Sequence, residues 1–347
     1  MMDSSTKDKK YISYFDNLKA VAAFAVVILH VFFGADSFAV TAGQHIYCLL
    51  MRNLMMWSVP CFVMVTGALL LDPTKDTDVK KVLKYCLRVI AALVVFSIIF
   101  SMFDSAVMYY FSGEKQSIKS VFKDIVCDIF MGTGWKHMWY LYLMLAIYLT
   151  LPIFRAIILN SSQELIKYFV IIGFIFLSVV PTINTIFKIE LPFYIFLYSI
   201  YPLFLILGYA IHNDIIKFNF IASVLLCVAG IVGITGITIY GIIHASDMCL
   251  SLTGTYTFPC IIFLAVGVFS LFKRFCNKKS KFLCVVSKCS FGIYLMHFAI
   301  VKYFAVVIKP NVFAVSGAPL LYVEAVIATL VPIVITLVYR KIHFRKG

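Results

Sequence analysis

The segment YFDNLKAVAAFAVVILHVFFG, Tyr14–Gly34, holds Lys19 and His30 inside one apolar run. Ionisable side chains are expensive in such a run and point to function where they occur. At ~100° per residue, their spacing places them only ~20° apart around a helix and ~16 Å apart along its axis, so one face presents both. A lysine suits an anion. A histidine suits proton transfer near neutral pH, because its ordinary pKa of about 6.5 leaves both forms accessible. The plainer readings are a Lys19 stem that snorkels to headgroups and a His30 that hydrogen-bonds a neighbouring helix.

Further groups of the same kind stand in other apolar runs. HMWYLYLMLAIYLTLPIFR opens with His137, Trp139 and Tyr140, SFGIYLMHFAIVKYF contains Tyr294 and His297, and Glu324 lies early in the last run. Helical depth puts these with His30 in the outer half of a membrane, where they would line a polar cavity. His137, at the boundary of its run, also suits an interfacial packing role. Arg88 and Arg155 lie near the inner ends of their runs and could join Lys19 around a phosphate-bearing ligand, while Asp16, one turn below Lys19, could orient it. Each arginine alone also serves as a topology determinant. Pro60 and Gly67 in VPCFVMVTGALL permit a bend and a close helix approach.

The elements that must position these residues are membrane helices. The chain has 347 residues, 63% hydrophobic and 13% charged, with a mean hydropathy of +0.99. That excludes a soluble globule and predicts an all-α polytopic transmembrane bundle. Apolar runs of spanning length predict ten helices, at about 14–34, 46–71, 83–110, 138–155, 166–186, 192–212, 218–243, 254–273, 283–308 and 318–340. They form one membrane domain, 14–340, between an N-terminal segment, 1–13, and a tail, 341–347. The first run is expected to remain as a span, since no small-residue cleavage site follows it.

With the N-terminus inside, about 21 of the 30 lysines and arginines fall on inner segments or inner helix ends. The positive-inside rule therefore predicts that both termini are cytoplasmic. The long outer segment, 111–137, repeats apolar residues at helical spacing from Ile118 to Ile129, which predicts an amphipathic helix at the interface. The net charge of +14 comes without an aromatic nucleic-acid platform, so it reads as topology rather than nucleic-acid binding. Ten scattered cysteines lack metal-site spacing, and no metal is expected; a pairing of Cys127 with Cys249 is left open.

Taken in order, these motifs resemble the integral-membrane acyltransferase-3 family. Asp16, Lys19 and His30 look like its opening motif of an acid, a basic residue and a histidine. The segment from His137 through Trp139 to Arg155 looks like its His-x-Trp-aromatic-Leu segment. VPCFVMVTGALL and SFGIYLMH, ending at His297, look like two others. The family usually has arginine at the position of Lys19; lysine keeps the charge but loses the flat fork that grips phosphate bidentately.

The resemblance implies a membrane-bound O-acyltransferase that takes acetyl-CoA, or another acyl-CoA, as donor. Its acceptor would be a surface glycan or lipid-linked saccharide at a bacterial cytoplasmic membrane. Lys19, with Arg88 and Arg155, would hold the donor phosphates, and His30 would act as general base on the acceptor hydroxyl. Tyr294, His297, Trp139, Tyr140, His137 and Glu324 would bind the acceptor or the oxyanion. A proton-coupled small-molecule transporter and a silent sensor are the readings from other classes.

Overall fold

The computed structural model describes residues 12–75, 78–113, 117–191, 198–307 and 318–343, and among them there is no strand. The helices are α1 (Ser13–Asp36), α2 (Ala42–Leu54), α3 (Ser58–Leu70), α4 (Val79–Ser112), α5 (Ile118–Met131), α6 (Trp139–Leu159) and α7 (Gln163–Phe174). They continue with α8 (Val180–Phe187), α9 (Tyr201–His212), α10 (Phe220–Ile243), α11 (Asp247–Thr253), α12 (Pro259–Phe275), α13 (Lys281–Val307) and α14 (Ala318–His343). The chain is an all-α polytopic bundle: among the described residues, eight helical stretches are long and apolar enough to cross a membrane. The expected sixth span corresponds to Tyr201–His212, of 12 residues, with 192–197 outside the described residues; the eighth corresponds to Pro259–Phe275, of 17 residues. Most of the N-terminal segment and of the tail also lies outside the described residues.

Two expected spans are interrupted for identifiable reasons. The run 46–71 divides into α2 and α3 at a turn over Met55–Trp57. Pro60 lacks an amide hydrogen, and a helix tolerates that only in its first turn, so the helix restarts at Ser58. The Ser58 hydroxyl donates to Met55 O at 2.7 Å and holds the break. In the fifth span, α7 passes through a π turn at Ile175–Val179 before α8, where Pro181 again removes a ladder donor. Within the outer segment, α5 has no buried residue and exposes Ile118, Phe122 and Phe130.

Two seams organise the bundle. α1 and α13 run parallel and meet at both ends: the Ser287 hydroxyl donates to Asp16 Oδ1 at 2.5 Å, and His297 meets His30. α3 crosses α9 backbone to backbone. A Cβ at Gly67 would collide with the Leu205 carbonyl, and one at Gly208 with the Met64 carbonyl. Only hydrogen at both positions allows this approach, the small-residue packing that membrane helices use where no hydrophobic drive separates protein from lipid.

Contacts at the Lys19 end fix the relative directions. The Tyr14 hydroxyl lies 2.6 Å from His212 Nδ1 at the end of α9. Asn17 donates to Cys276 O and Lys278 O after α12, at 2.6 and 3.0 Å. Arg340 of α14 donates to Lys288 O of α13 at 2.9 Å. Hence α9, α12 and α14 run opposite to α1, and the ends of α1 and α14 nearest the termini share one side. Among the described residues no disulfide joins the ten cysteines; Cys127 is exposed on α5 and Cys249 buried on α11.

Candidate functional site

A cavity of about 250 Å³ opens inside the bundle, between the α1/α13 seam and the helices α3, α4 and α6. Along α1 it is lined from Ala23 to His30, roughly 10 Å of helix. Val26, Phe62, Val89 and Met144 make its flank apolar. Its polar groups concentrate at the His30 end: His30, His137, Tyr140, Tyr294 and His297, joined by Trp139 and Tyr256.

The imidazoles are held by local geometry. His30 Nδ1 lies 2.9 Å from Val26 O, and His297 Nδ1 lies 2.9 Å from Ile293 O, each the carbonyl four residues earlier on its own helix. A carbonyl oxygen can only accept, so both Nδ1 atoms carry the hydrogen and both Nε2 atoms keep a lone pair. His297 Nε2 stands 3.4 Å from His30 Nδ1, as a second acceptor for that same N–H. The rings are edge to face, 4.9 Å between centroids. His30 Nε2 is thereby left as the basic atom of a residue that lines the cavity.

His137 is buried rather than interfacial, packed at 5.4 Å against the His297 ring and stacked at 4.8 Å on Phe298. Its Nε2 points at Leu295 O at 3.4 Å, and its backbone carbonyl accepts the Tyr294 hydroxyl at 2.8 Å. Among the described residues its Nδ1 has no hydrogen-bond partner. Tyr294 is thus committed to a carbonyl, whereas the Tyr140 hydroxyl makes no hydrogen bond among the described residues. Phe298 touches both flanking histidines, since its ring also stands at 90° to His30, 5.4 Å away.

A second polar knot roofs this end. Asp104 of α4 accepts from Trp135 Nε1 at 2.7 Å, from Tyr303 at 2.6 Å and from Lys302 at 2.5 Å. Trp135 is stacked on Phe100 at 3.9 Å and carries Lys302 over its ring at 4.6 Å. The knot pins the residues just before His137 to α4 and α13. Sequence reasoning missed it, although an acid inside the apolar run 83–110 was the available signal.

The expected cations meet different fates. Lys19 Nζ pairs with Asp16 Oδ1 at 3.0 Å, its side chain 27% exposed, one turn below the cavity's limit at Ala23. Arg155 is buried, donating to Leu70 O at 2.6 Å, to Asp72 O at 2.7 Å and to Lys75 O. These are carbonyls at and beyond the end of α3, so the guanidinium caps one helix from another. Arg88 is exposed and makes no ion pair among the described residues. It lies close enough to Tyr148, at the cavity's inner end, to act on it electrostatically. Glu324 is fully buried on α14 and does not line the cavity. The structure therefore brings His30, His137, Trp139, Tyr140, Tyr294 and His297 together, leaves Lys19 and Arg88 toward the opposite end, and sets Arg155 and Glu324 apart. Tyr256 and Tyr148 also line the cavity; Tyr256 lies in none of the sequence motifs, and sequence reasoning passed over Tyr148 within the His137–Arg155 segment.

The model of a family described as an acyltransferase domain matches residues 12–338. No curated protein and no solved structure matches the chain.

Proposed function

The chain belongs to the acyltransferase-3 family, and from that premise we propose that it passes an acyl group from acyl-CoA, acetyl-CoA in the family's usual form, to a hydroxyl of an envelope glycan or lipid-linked saccharide. The observation that supports this most is the cavity that runs along α1 from His30 toward Lys19. It runs from a basic imidazole along an apolar wall and stops about one turn short of Lys19.

The donor thioester supplies an activated acyl carbon. Lys19 and Arg88 hold its phosphates by charge, and Lys19, already paired with Asp16, is poised by that carboxylate rather than left to roam. Arg155 shapes the loop beside them by gripping its carbonyls. Lys19 and Arg88 keep the phosphate role expected of them in this reading, whereas Arg155, its guanidinium committed to backbone carbonyls, gives up that role for a positioning one.

At the other end His30 Nε2 accepts the acceptor's hydroxyl proton as that oxygen bonds to the acyl carbon, and returns it to the departing sulfur. The His30 Nδ1–H is meanwhile shared between Val26 O and the His297 Nε2 lone pair, which steadies the imidazolium while it exists. Tyr140, with its hydroxyl uncommitted, is the donor to the developing oxyanion. Direct transfer of this kind needs no covalent acyl-enzyme.

Full-length protein in nanodiscs, given labelled acetyl-CoA and envelope glycan, tests the proposal. Label should move to the glycan with release of CoA, and His30→Ala should stop both while the protein remains folded. Undiminished transfer by His30→Ala would remove His30 from the chemistry; substrate flux into proteoliposomes without any CoA binding would favour transport instead.

A further inference from the structure

Three aromatic rings from three elements meet at the His30 end. Trp139 is the first residue of α6, Tyr201 the first of α9, and Tyr256 sits in the turn before α12. Trp139 lies 6.0 Å from the Tyr201 ring and 5.8 Å from the Tyr256 ring, and the two tyrosines are 6.2 Å apart. Trp139 is 37% exposed, and with Tyr256 it lines the cavity that holds His30 and His297. Neither tyrosine hydroxyl, nor the indole N–H, makes a hydrogen bond among the described residues. Polar groups in an apolar setting normally find partners, so hydroxyls collected here without protein partners are suited to a ligand's.

The position also says which substrate they would meet. α6, α9 and α12 all start at the end opposite Tyr14, Lys19 and Arg155, because His212 and Cys276, at or just past the ends of α9 and α12, lie against α1 at Tyr14 and Asn17. The rings are therefore remote from the cations assigned to the donor.

We propose that Trp139, Tyr201 and Tyr256 form the acceptor subsite and that its ligand is a pyranose ring, seated with its C–H face on the aromatic rings and its hydroxyls on the tyrosyl oxygens. This rests on the acyl-transfer reading above, whose acceptor is already a saccharide, and adds the residues that would seat its ring. A pyranose combines what the three side chains offer: a flat apolar face for rings, and hydroxyls that both give and accept hydrogen bonds. An alkyl-chain alcohol would cover the rings but leave the tyrosyl oxygens unmatched, which costs affinity. Trp139 and Tyr256 line the same cavity as His30, and in this proposal a hydroxyl of the seated ring extends through it to the base.

The test uses the full chain in nanodiscs with acetyl-CoA and a panel of methyl pyranosides, of glucose, galactose, rhamnose and N-acetylglucosamine, beside glycerol as an acyclic comparator. At least one pyranoside should accelerate CoA release far more than glycerol. In the double variant Tyr201→Phe with Tyr256→Phe, the ratio of that pyranoside's KM to the donor's KM should rise about tenfold, the loss of two neutral hydrogen bonds. Trp139→Leu should raise the same ratio; where it fails to fold, the phenylalanine variants, each lacking one oxygen, carry the test. Glycerol matching every pyranoside, a rise confined to the donor's KM, or acetyl-CoA binding without acceleration by any pyranoside would each overturn the subsite. Absence of acetyl-CoA binding would overturn the acyl-transfer reading itself, and the acceptor role with it.

Discussion

His30 and His297 stand 3.4 Å apart, Nδ1 to Nε2, each imidazole tethered to the carbonyl one helical turn before it. The pairing gives the two rings unequal work. Replacing His30 by Ala should remove acyl transfer to the background rate, a loss of about 10²-fold or more. His297→Ala should reduce kcat by a smaller factor without raising the donor's KM, and His297→Gln, which keeps an acceptor, should recover part of it. Single-turnover CoA release measures both; equal kcat for His297→Ala and wild type would discard the supporting role.

Lys19→Glu places a second acid one turn above Asp16, whereas Lys19→Arg preserves the ion pair. Donor binding by isothermal titration should therefore weaken about tenfold or more in the glutamate variant and stay near wild type in the arginine variant. Equal, undiminished binding by both would rule out Lys19 as the phosphate anchor.

Arg155 is a buried charge satisfied by three carbonyls. Arg155→Ala leaves those oxygens without their donor, and charge-assisted bonds are worth about 1.5–3 kcal/mol each. The midpoint of thermal unfolding in detergent should fall by several degrees, with Arg155→Lys intermediate, because one ammonium cannot reproduce the fork. An unchanged midpoint in Arg155→Ala would show the clamp to be dispensable.

Gly67→Ala and Gly208→Ala each force a methyl group onto a facing carbonyl, so α3 and α9 must part. Overpacking of this kind costs about 1–3 kcal/mol. Gly236→Ala is the control, since nothing lies within 4 Å of its added Cβ. Thermal scanning should rank the first two well below the control; the reverse order would contradict the close crossing.

Asp214, in the turn after α9, accepts from Lys273 at 2.8 Å, and this hydrogen bond holds its carboxyl below the usual carboxylate range. A depressed carboxyl stabilises the fold above its unfolded pKa of about 3.9, and that contribution is lost as pH falls through the lower folded value. Asp214→Asn should accordingly lower stability slightly at neutral pH, flatten the acid limb below about pH 4, and match the wild type at the most acidic end, where the carboxyl is already protonated. An acid limb of unaltered slope would argue that the ion pair is electrostatically silent.

Much of this arrangement was legible in the sequence because membrane helices advertise themselves by hydropathy and period. The spacing of Lys19 and His30 predicts a shared stripe; in the structure Asp16, the ion-pair partner of Lys19, meets α13 at Ser287, and His30 meets it at His297. His137, Trp139, Tyr140, Tyr294 and His297 also gather around His30. The commitments of the cations were not legible. A one-dimensional pattern cannot tell that Arg155 spends its charge on carbonyls of another segment, nor that Glu324 is buried without lining the cavity. Tyr201 and Tyr256 escaped because tyrosines are common at membrane interfaces, so only the folding of three chain segments onto one spot distinguishes these two. The division of 46–71 was foreshadowed by Pro60, but its position at the turn depended on where the first helical turn restarts.

The crossing of α3 and α9 has a bearing on substrate size. Phe62, on the cavity wall, lies five residues before Gly67 on a helix whose main chain abuts another main chain. Such a flank has no side-chain cushion to compress, so it cannot recede to admit a bulkier guest. Any tolerance for longer acyl groups would have to come from the opposite flank, where Val89 and Met144 of α4 and α6 border the same space.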